Sequence, residues 1–403
     1  MELFWLEHKK LWRKKIVKIC VLLCFVYYVI FGSILLFQWF GFGSSDDYTS
    51  AFGNNFDGYT VIKDSQEYAL SFGGELTDET LQQIVSDYQQ MEADGMEEEL
   101  EKTDWQIVNS WLGTLYPELR DTSNYKTMIS YVDPDKLTGF YERRQQVLDE
   151  FLEVSGQVGA EKEFLHQIER KVEKPFHYEW VEGWSTLLGS TVADLGVVMA
   201  LFLGIVLSSL FAGEWHDNTS ALVLTTRNGW GKIALAKILT GFAFTVELFA
   251  LLAVSSVISQ LFFMGTAGWD MPIQNIKLIA VAPMNMLQAE IYEYAFVLLG
   301  AIGFAGIVMF ISAAVKNNVL TLLLSLAVVY GPMMIAEYLP YEMQKALDLI
   351  PLVGSSTDIF RTNTFRIFGK LIWSPYLLIT IPVLIGILCM PFAIKSWSRR
   401  MKA

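Results

Sequence analysis

The sequence predicts an all-α polytopic membrane protein. It has six transmembrane helices, and a mostly α-helical (minor β) extracytoplasmic domain is inserted between spans one and two. Of its 403 residues, 53% are hydrophobic and only 18% are charged, whereas a soluble chain carries about 25% charged residues. Six apolar runs approach or exceed the roughly 20 residues that cross a bilayer. Between the first two runs, residues 43–184 hold 30 acidic and 11 basic side chains. This composition excludes an ordinary cytosolic enzyme, and the lack of a basic patch excludes a nucleic-acid binder.

Residues 1–42 form the first predicted unit, a basic amphipathic helix followed by the first span. The helix sets apolar residues against Lys9, Lys10, Arg13 and Lys14. It suits a position along the inner leaflet, or it is a simple positive-inside anchor. The uncharged run 19–41 is longer than the ~7–15 apolar residues of a signal peptide, so we expect a retained span.

Residues 43–184 form the second unit, which is long enough for a domain of its own and contains no cysteine for a disulfide. Residues 58–74 read as one or two short strands that end in a glycine turn. A helix follows, with Thr77 or Asp78 as its cap, and a second helix is predicted to start at Asp133 and Pro134. The acidic run 97–101 is interpreted as a solvated face. The aromatic residues before the second span predict a belt at the membrane interface; they are Phe176, Tyr178, Trp180 and Trp184.

Residues 185–403 hold spans two to six and a predicted inner loop at 213–237. The apolar runs are 195–212 (extended outward by 190–194), 238–265, 294–315, 319–336 and 371–394. Inside a bilayer such runs must be helical, because no water satisfies open backbone groups.

The basic residues near the spans predict the orientation of the chain. With the N-terminus inside, the short inner segments carry 14 lysines and arginines and the short outer loops carry five. Positive charge favours the cytoplasmic side. We therefore expect a multi-pass protein of the cell membrane with both termini cytoplasmic and residues 43–184 extracytoplasmic.

Two acidic residues interrupt the apolar runs. Glu247 lies ten residues beyond Lys237, which is about 15 Å along a helix. Because a charge at such a depth costs at least ~2.5–3.5 kcal/mol, Glu247 should face the bundle or be protonated. Asp194 lies nearer the outer surface. Each makes either an interhelical hydrogen bond or a contribution to a substrate path.

Small residues in the fourth span predict close helix packing. They are Gly300, Ala301, Gly303, Ala305 and Gly306. Such residues let helices approach each other, either within the subunit or at a dimer seam.

The loop at 214–237 reads EWHDNTSALVLTTRNGWGKIALAK, and no phosphate-binding loop occurs in the chain. The loop resembles that of type-2 ATP-binding-cassette exporter permeases. In that family an acidic residue ends the second span, a turn carries an arginine, and a lysine opens the third span. Glu214, Arg227 and Lys237 match these positions. Thr225 and Thr226 stand where many members carry proline before the arginine. The simpler interpretation is that Arg227, Lys232 and Lys237 only follow the positive-inside rule.

The resemblance implies a permease subunit without catalytic residues or a cofactor of its own, and no metal site is expected in the chain. ATP and Mg would be bound by a separate ATPase subunit, which Glu214, Arg227, Lys232 and Lys237 would couple to the membrane part. A second permease subunit, identical or different, would complete the transporter in a prokaryotic membrane. The substrate would be a peptide, a drug or a lipid-like molecule. Two alternatives stay open: a membrane-anchored sensor or immunity protein with a ligand-binding outer domain, and a secondary transporter.

Overall fold

The computed structural model is mostly helical and describes residues 2–40, 66–67, 73–96, 105–121, 126–216, 231–315, 317–354 and 362–399. Helix α1 (Glu2–Arg13) is followed after Lys14 by helix α2 (Lys15–Phe40). In α1, Leu11 is buried while Trp5 and Leu6 are exposed. The placement of α1 along the inner leaflet stays a prediction.

Helix α2 covers the predicted first span, and one face of it is buried. Among residues 15–28, whose side chains the structure describes, the buried ones are Val17, Cys20, Cys24 and Tyr28, which recur every three to four positions as on one face of a helix. This face packs against the bundle of helices described below. That α2 crosses the membrane as a sixth span stays a prediction.

The inserted domain is built from short helices between two strands. In order it contains β1 (Gly74–Leu76), α3 (Asp78–Ala93), α4 (Trp105–Leu115), α5 (Phe140–Val154), α6 (Ala160–Glu169), β2 (Phe176–Tyr178) and α7 (Glu182–Thr186). The strands pair antiparallel, with Gly74 opposite Tyr178 and Leu76 opposite Phe176. The pairing therefore brings the start and the end of the described part of the domain together.

The two predicted helix starts in this domain have different outcomes. The Thr77 side chain accepts a hydrogen bond from the Thr80 N–H at 3.3 Å, which confirms Thr77 as the cap of α3. The start predicted at Asp133 and Pro134 is wrong, because only a short 3-10 turn forms there. Gly139, in the left-handed region at φ 73°, interrupts the chain before α5 begins at Phe140. The Asp78 carboxylate accepts the N–H groups of Gly139 and Phe140 at 2.7 and 2.9 Å, so it caps this second helix.

The aromatic residues before the second span lie inside the protein, so the predicted interfacial belt is wrong for them. Phe176, Tyr178 and Trp180 are buried in the core of the domain. The indole N–H groups of Trp180 and Trp184 donate to the backbone carbonyls of Met264 and Thr266. These rings join the domain to the end of a neighbouring helix. Most of 58–74 and the acidic run 97–101 lie outside the described residues.

The remaining elements are α8 (Val192–His216), α9 (Lys232–Met264), α10 (Met286–Ala314), α11 (Asn318–Ile335), α12 (Tyr341–Leu347), β3 (Thr364–Ile367), β4 (Lys370–Trp373) and α13 (Ser374–Arg399). Within the described residues, α8, α9, α10, α11 (extended to Tyr338) and α13 are long and apolar enough to cross a membrane. They coincide with predicted spans two to six. Helix α10 is central and packs mainly against α8 and α13.

The glycines of α10 pack against α13 within this chain. A Cβ built on Gly306 would lie 2.6 Å from the Cα of Gly386, and one on Gly303 would overlap the backbone of Pro382. Only glycine fits at so short a distance between helices. The small residues of α10 are predicted to pack either within the subunit or at a dimer seam. Packing within the subunit accounts for Gly303 and Gly306.

The inserted domain is fixed to the connection between α9 and α10. Buried Arg144 donates to the carbonyls of Leu278 and Ala280 at 2.7 and 3.2 Å, and to Glu169 Oε1 at 2.6 Å. Burial opposes the ionisation of Glu169, but hydrogen bonds from Lys174 and Arg144 outweigh it and keep the pKa of this carboxyl below its usual value.

The three predicted outer segments therefore meet at one end of the bundle. The strand β3 reaches the domain through Thr364, whose hydroxyl donates to Gln157, and through Arg366, which pairs with Glu161 at 2.6 Å. We name this the domain end, and the opposite end, where α1 packs, the α1 end. That the domain end faces out of the cell stays a prediction.

Candidate functional site: a charge network at the α1 end

Glu214 and Lys237 meet where the predicted coupling loop leaves and re-enters the bundle. Glu214 is in the last turn of α8 and Lys237 is in the second turn of α9. Glu214 Oε1 lies 2.8 Å from Lys237 Nζ, and the two residues are only 5% and 1% exposed. The loop residues 217–230 lie outside the described residues. The ends of this loop are therefore held together by a buried ion pair.

Helix α1 supplies the second carboxylate and the second ammonium group of this network. Lys10 Nζ lies 2.5 Å from Glu214 Oε1, and Glu7 Oε2 lies 2.8 Å from Lys237 Nζ. Burying a lone charge costs several kcal/mol, which opposite charges and hydrogen bonds can offset. The four groups balance one another in formal charge, which explains how Lys237 can be almost fully enclosed.

One face of α9 carries the contacts with α1. Lys237, Phe244 and Glu247 are separated by seven and three positions and so lie on one stripe of the helix. Trp12 Nε1 donates to Glu247 Oε2 at 3.0 Å, and its ring meets Phe244 edge-on at 5.7 Å between centroids. His8 Nε2 lies 3.2 Å from Glu247 Oε1. Helix α1 therefore packs along α9 through three successive contacts.

The first of the two alternatives expected for Glu247, a side chain that faces the interior of the bundle, is not what the structure shows. Its side chain is 43% exposed and contacts α1. Because α1 packs along α9, polar groups of Trp12 and His8 lie beside Glu247. The Glu247 carboxylate therefore has hydrogen-bond partners on the side of α9 that faces α1. Asp194 lies far from it in sequence, exposed in the first turn of α8 toward the domain end. Asp194 thus stands at the start of α8, and Glu247 stands in the middle of α9.

Of the predicted coupling residues, the structure brings together Glu214 and Lys237. Lys232 is exposed as the first residue of α9, and Arg227 lies outside the described residues. The α1 partners were not predicted. Glu7, Lys10 and Lys14 recur at positions i, i+3 and i+7, so they share one face of α1. That spacing is the signal for a polar face directed at another helix. From the sequence alone, the lysines of α1 are assigned only to the cytoplasm or to the membrane surface.

The end of α8 is also fixed to α10 by a single hydroxyl group. Ser312 Oγ accepts the N–H groups of Phe211 and Ala212 at 3.1 Å each and donates to the Ser208 carbonyl at 2.7 Å. Lys14 Nζ adds a hydrogen bond to Ser209 Oγ at 3.0 Å. The last turns of α8 thus connect to both α1 and α10.

This network suits mechanical coupling better than ligand binding. The cavity between Glu7, Lys10, Lys14 and Lys237 has a volume of about 20 Å³, which is room for a water molecule at most. Among the described residues, no group of three histidine, cysteine or acidic side chains could hold a metal ion. What the arrangement does is tie α1 to the adjoining ends of α8 and α9.

Comparison of the chain with known protein families, with characterised proteins and with solved structures finds no match.

Proposed function

We propose that this chain is the membrane-spanning permease subunit of an ATP-binding-cassette exporter. It would move a peptide, drug or lipid-like substrate with energy from ATP that a separate subunit hydrolyses. A second permease subunit would face it in the bilayer. The five long apolar helices support a role within the membrane, and the loop resemblance at Glu214, Arg227 and Lys237 supports the class.

The observation that carries the proposal is the buried Glu214–Lys237 pair at the two ends of the loop. A permease that hydrolyses no ATP must receive force through an element docked on its ATPase. The adjoining ends of α8 and α9 are tied to each other and to α1 through Glu7 and Lys10. A displacement of one of these helix ends would therefore be passed to the other two, as in contiguous networks that carry coupling between sites.

Under this proposal the residues of the loop have different roles. Glu214 and Lys237 are enclosed by α1 and are positioning residues, which keep the ends of the loop in register. Arg227 and exposed Lys232 are the candidates for direct contact with the ATPase, and Arg227 can make a bidentate contact with a carboxylate.

The test is co-purification of the tagged chain with its candidate ATPase. Arg227→Glu should reduce the bound ATPase at least tenfold, because losing a buried interfacial charge contact costs ~2–5 kcal/mol. Lys9→Glu is the matched control, since Lys9 is an exposed cation of α1 at the same end of the bundle. Unchanged binding and unchanged substrate-stimulated hydrolysis in both Arg227→Glu and Lys232→Glu would remove the loop from the interface.

One observation favours the alternative of a sensor or immunity protein with a ligand-binding outer domain. A groove of about 690 Å³ lies between β2 and the α9–α10 connection, with His177, Asp270, Gln274 and Asn285 in its lining. This volume is within the range of small-molecule sites, roughly 300–1,000 Å³. A chain that binds a ligand here and never retains an ATPase would have this second function.

A further inference from the structure

A second cavity opens on the side of the bundle between α9 and α10. Its volume is about 380 Å³, which is in the range of sites that hold one small molecule. Its apolar wall is formed by Phe249, Val257, Leu287, Ile291, Ala295 and Leu298. Ile291 is exposed at the mouth, so the cavity is accessible from the side of the bundle.

Glu290 contributes a carboxylate to this apolar cavity. The residue is 3% exposed, and no hydrogen bond of normal geometry reaches either carboxylate oxygen within the described residues. Trp184 Nε1, also in the lining, donates to the Thr266 carbonyl, and the Tyr294 hydroxyl bonds to Ser256 at 2.7 Å. The Tyr294 hydroxyl also lies within hydrogen-bonding reach of the Glu290 carboxylate, but as a neutral group it supplies no counter-charge. A buried carboxylate without a counter-ion is costly.

The polar and apolar parts of the cavity are separated along α10. Glu290 is four residues from the start of α10 at Met286, and Leu298 is twelve residues from it. At the rise of a helix these positions are about 6 and 18 Å from the domain end of α10. The carboxylate thus lies near the end of the span, and the apolar wall extends toward the middle.

We propose that this cavity binds a lipophilic monocation, an ammonium or protonated amine on a single apolar chain. The ammonium group would lie at Glu290 and the chain would extend along Ile291, Ala295 and Leu298. An ionised carboxylate only accepts hydrogen bonds, so a cation with N–H donors complements it in charge and in hydrogen bonding. The rings of Trp184, Phe249 and Tyr294 suit a cation or its apolar chain equally. That the cavity binds such a cation does not depend on the proposed function. That the cation is also the transported substrate rests on the proposed function.

The experiment uses photo-crosslinking to the purified full chain in lipid nanodiscs without any ATPase. The probe is dodecylamine that carries a diazirine in its chain, compared with dodecanol that carries the same diazirine. We expect the amine to label peptides of α9 and α10 around Val257 and Ile291, and an excess of unlabelled dodecylamine to abolish the labelling. Glu290→Gln should reduce the protectable labelling at least tenfold.

Two further variants test whether labelling depends on the Glu290 carboxylate itself and on the space in the cavity. Glu293→Gln removes a buried carboxylate from the same helix outside the lining of the cavity, and it should label like the wild type. Ala295→Trp fills the cavity while keeping Glu290, and it should lose the labelling. Gel filtration and thermal unfolding confirm that each variant is folded before it is scored.

The outcomes decide between the occupants. Equal labelling by the amine and the alcohol, unaffected by Glu290→Gln, would overturn the cation site and leave a groove for apolar chains. Loss of amine labelling when phosphatidylethanolamine replaces phosphatidylcholine in the nanodisc would assign the cavity to a membrane lipid and also overturn the proposal. Since no ATPase is present, these results are independent of the co-purification test.

Discussion

Lys237 is a buried cation whose two carboxylate partners, Glu7 and Glu214, come from different helices. Lys237→Met should lower the free energy of unfolding by about 3 kcal/mol, because Glu7 loses its contact with Lys237 and buried Glu214 keeps only Lys10. The double variant Glu214→Gln with Lys237→Met should lose less than the sum of the single changes. Thermal unfolding of the purified protein in detergent measures both.

The control for this cycle is Lys232→Met, which removes an exposed lysine from the same helix and should change stability by less than about 0.5 kcal/mol. Strictly additive losses for Glu214 and Lys237 would show that the two groups do not stabilise each other.

Glu182 is the residue for which a dependence on pH is expected. It lies in α7, outside the five spanning helices, and burial raises the pKa of its carboxyl from 4.5 to about 7, opposed in part by the Thr186 hydroxyl. The folded protein therefore holds this proton more tightly than the unfolded chain. The stability from this group is complete below pH 4.5 and is lost as the pH rises to about 7.

The measurement is the unfolding midpoint between pH 5 and pH 8 for Glu182→Gln. The amide needs no proton, so the variant should lose this component of the pH dependence. At pH 8 it should exceed the wild type by up to about 3 kcal/mol, at 1.36 kcal/mol for each pKa unit. Glu173→Gln changes an exposed carboxylate of the same domain and should leave the pH profile as it is. Parallel profiles for Glu182→Gln and the wild type would contradict the expectation.

The sequence indicates which residues are unusual but not which residues they contact. Glu214 and Lys237 are visible because they stand at the ends of apolar runs. Their partners on α1 are more than 200 positions away, and long-range packing decides that pairing. Glu290 could not be predicted as a buried residue, because it precedes the fourth apolar run in the sequence. In the structure the helix begins earlier, at Met286, and Glu290 is buried.

At the scale of elements, the contact between α10 and α13 depends on glycine. Gly306→Ala should lower the free energy of unfolding by about 1–3 kcal/mol, because the added methyl group forces the helices apart. Gly196→Ala in α8 is the control, since a Cβ there meets nothing within 4 Å, and its stability should be unchanged or slightly higher. Equal midpoints of thermal unfolding for the two variants would mean that the two helices can separate without loss.

Elements follow from local sequence where one signal dominates. Apolar runs predict α8, α9, α10, α11 and α13, and the pair Thr77 and Asp78 predicts the start of α3. The start of α5 could not be predicted in the same way. Asp133 and Pro134 are residue types that commonly start a helix. The α-helix nevertheless begins at Phe140, after Gly139, where the distant Asp78 carboxylate caps it. Similarly, the aromatic residues around Trp180 suit a membrane interface, and only strand pairing with β1 shows that they belong to a core.

At the scale of the whole molecule, the predicted outer segments gather at the domain end and α1 lies at the opposite end. The side of the membrane that each end faces is predicted from charge: 14 basic residues in the short inner segments against five in the short outer loops. The acidic domain and the basic α1 then lie on opposite sides, as the positive-inside rule requires. The arrangement of the segments relative to one another comes from packing, whereas the orientation comes from sequence alone.

Single cysteines at Asp94 and Lys9 test this orientation in a chain whose native Cys20, Cys24 and Cys389 are replaced by alanine. Both positions are exposed, Asp94 in the domain and Lys9 on α1. An impermeant maleimide should label Asp94→Cys in intact cells, because the domain end is predicted to face outward, and should label Lys9→Cys only after permeabilisation. Ser220→Cys, within the loop that joins α8 and α9, should behave like Lys9→Cys. Comparable labelling of Lys9→Cys and Asp94→Cys in intact cells would mean that the two ends do not face different compartments, and the loop between α8 and α9 would then have no access to a cytoplasmic ATPase.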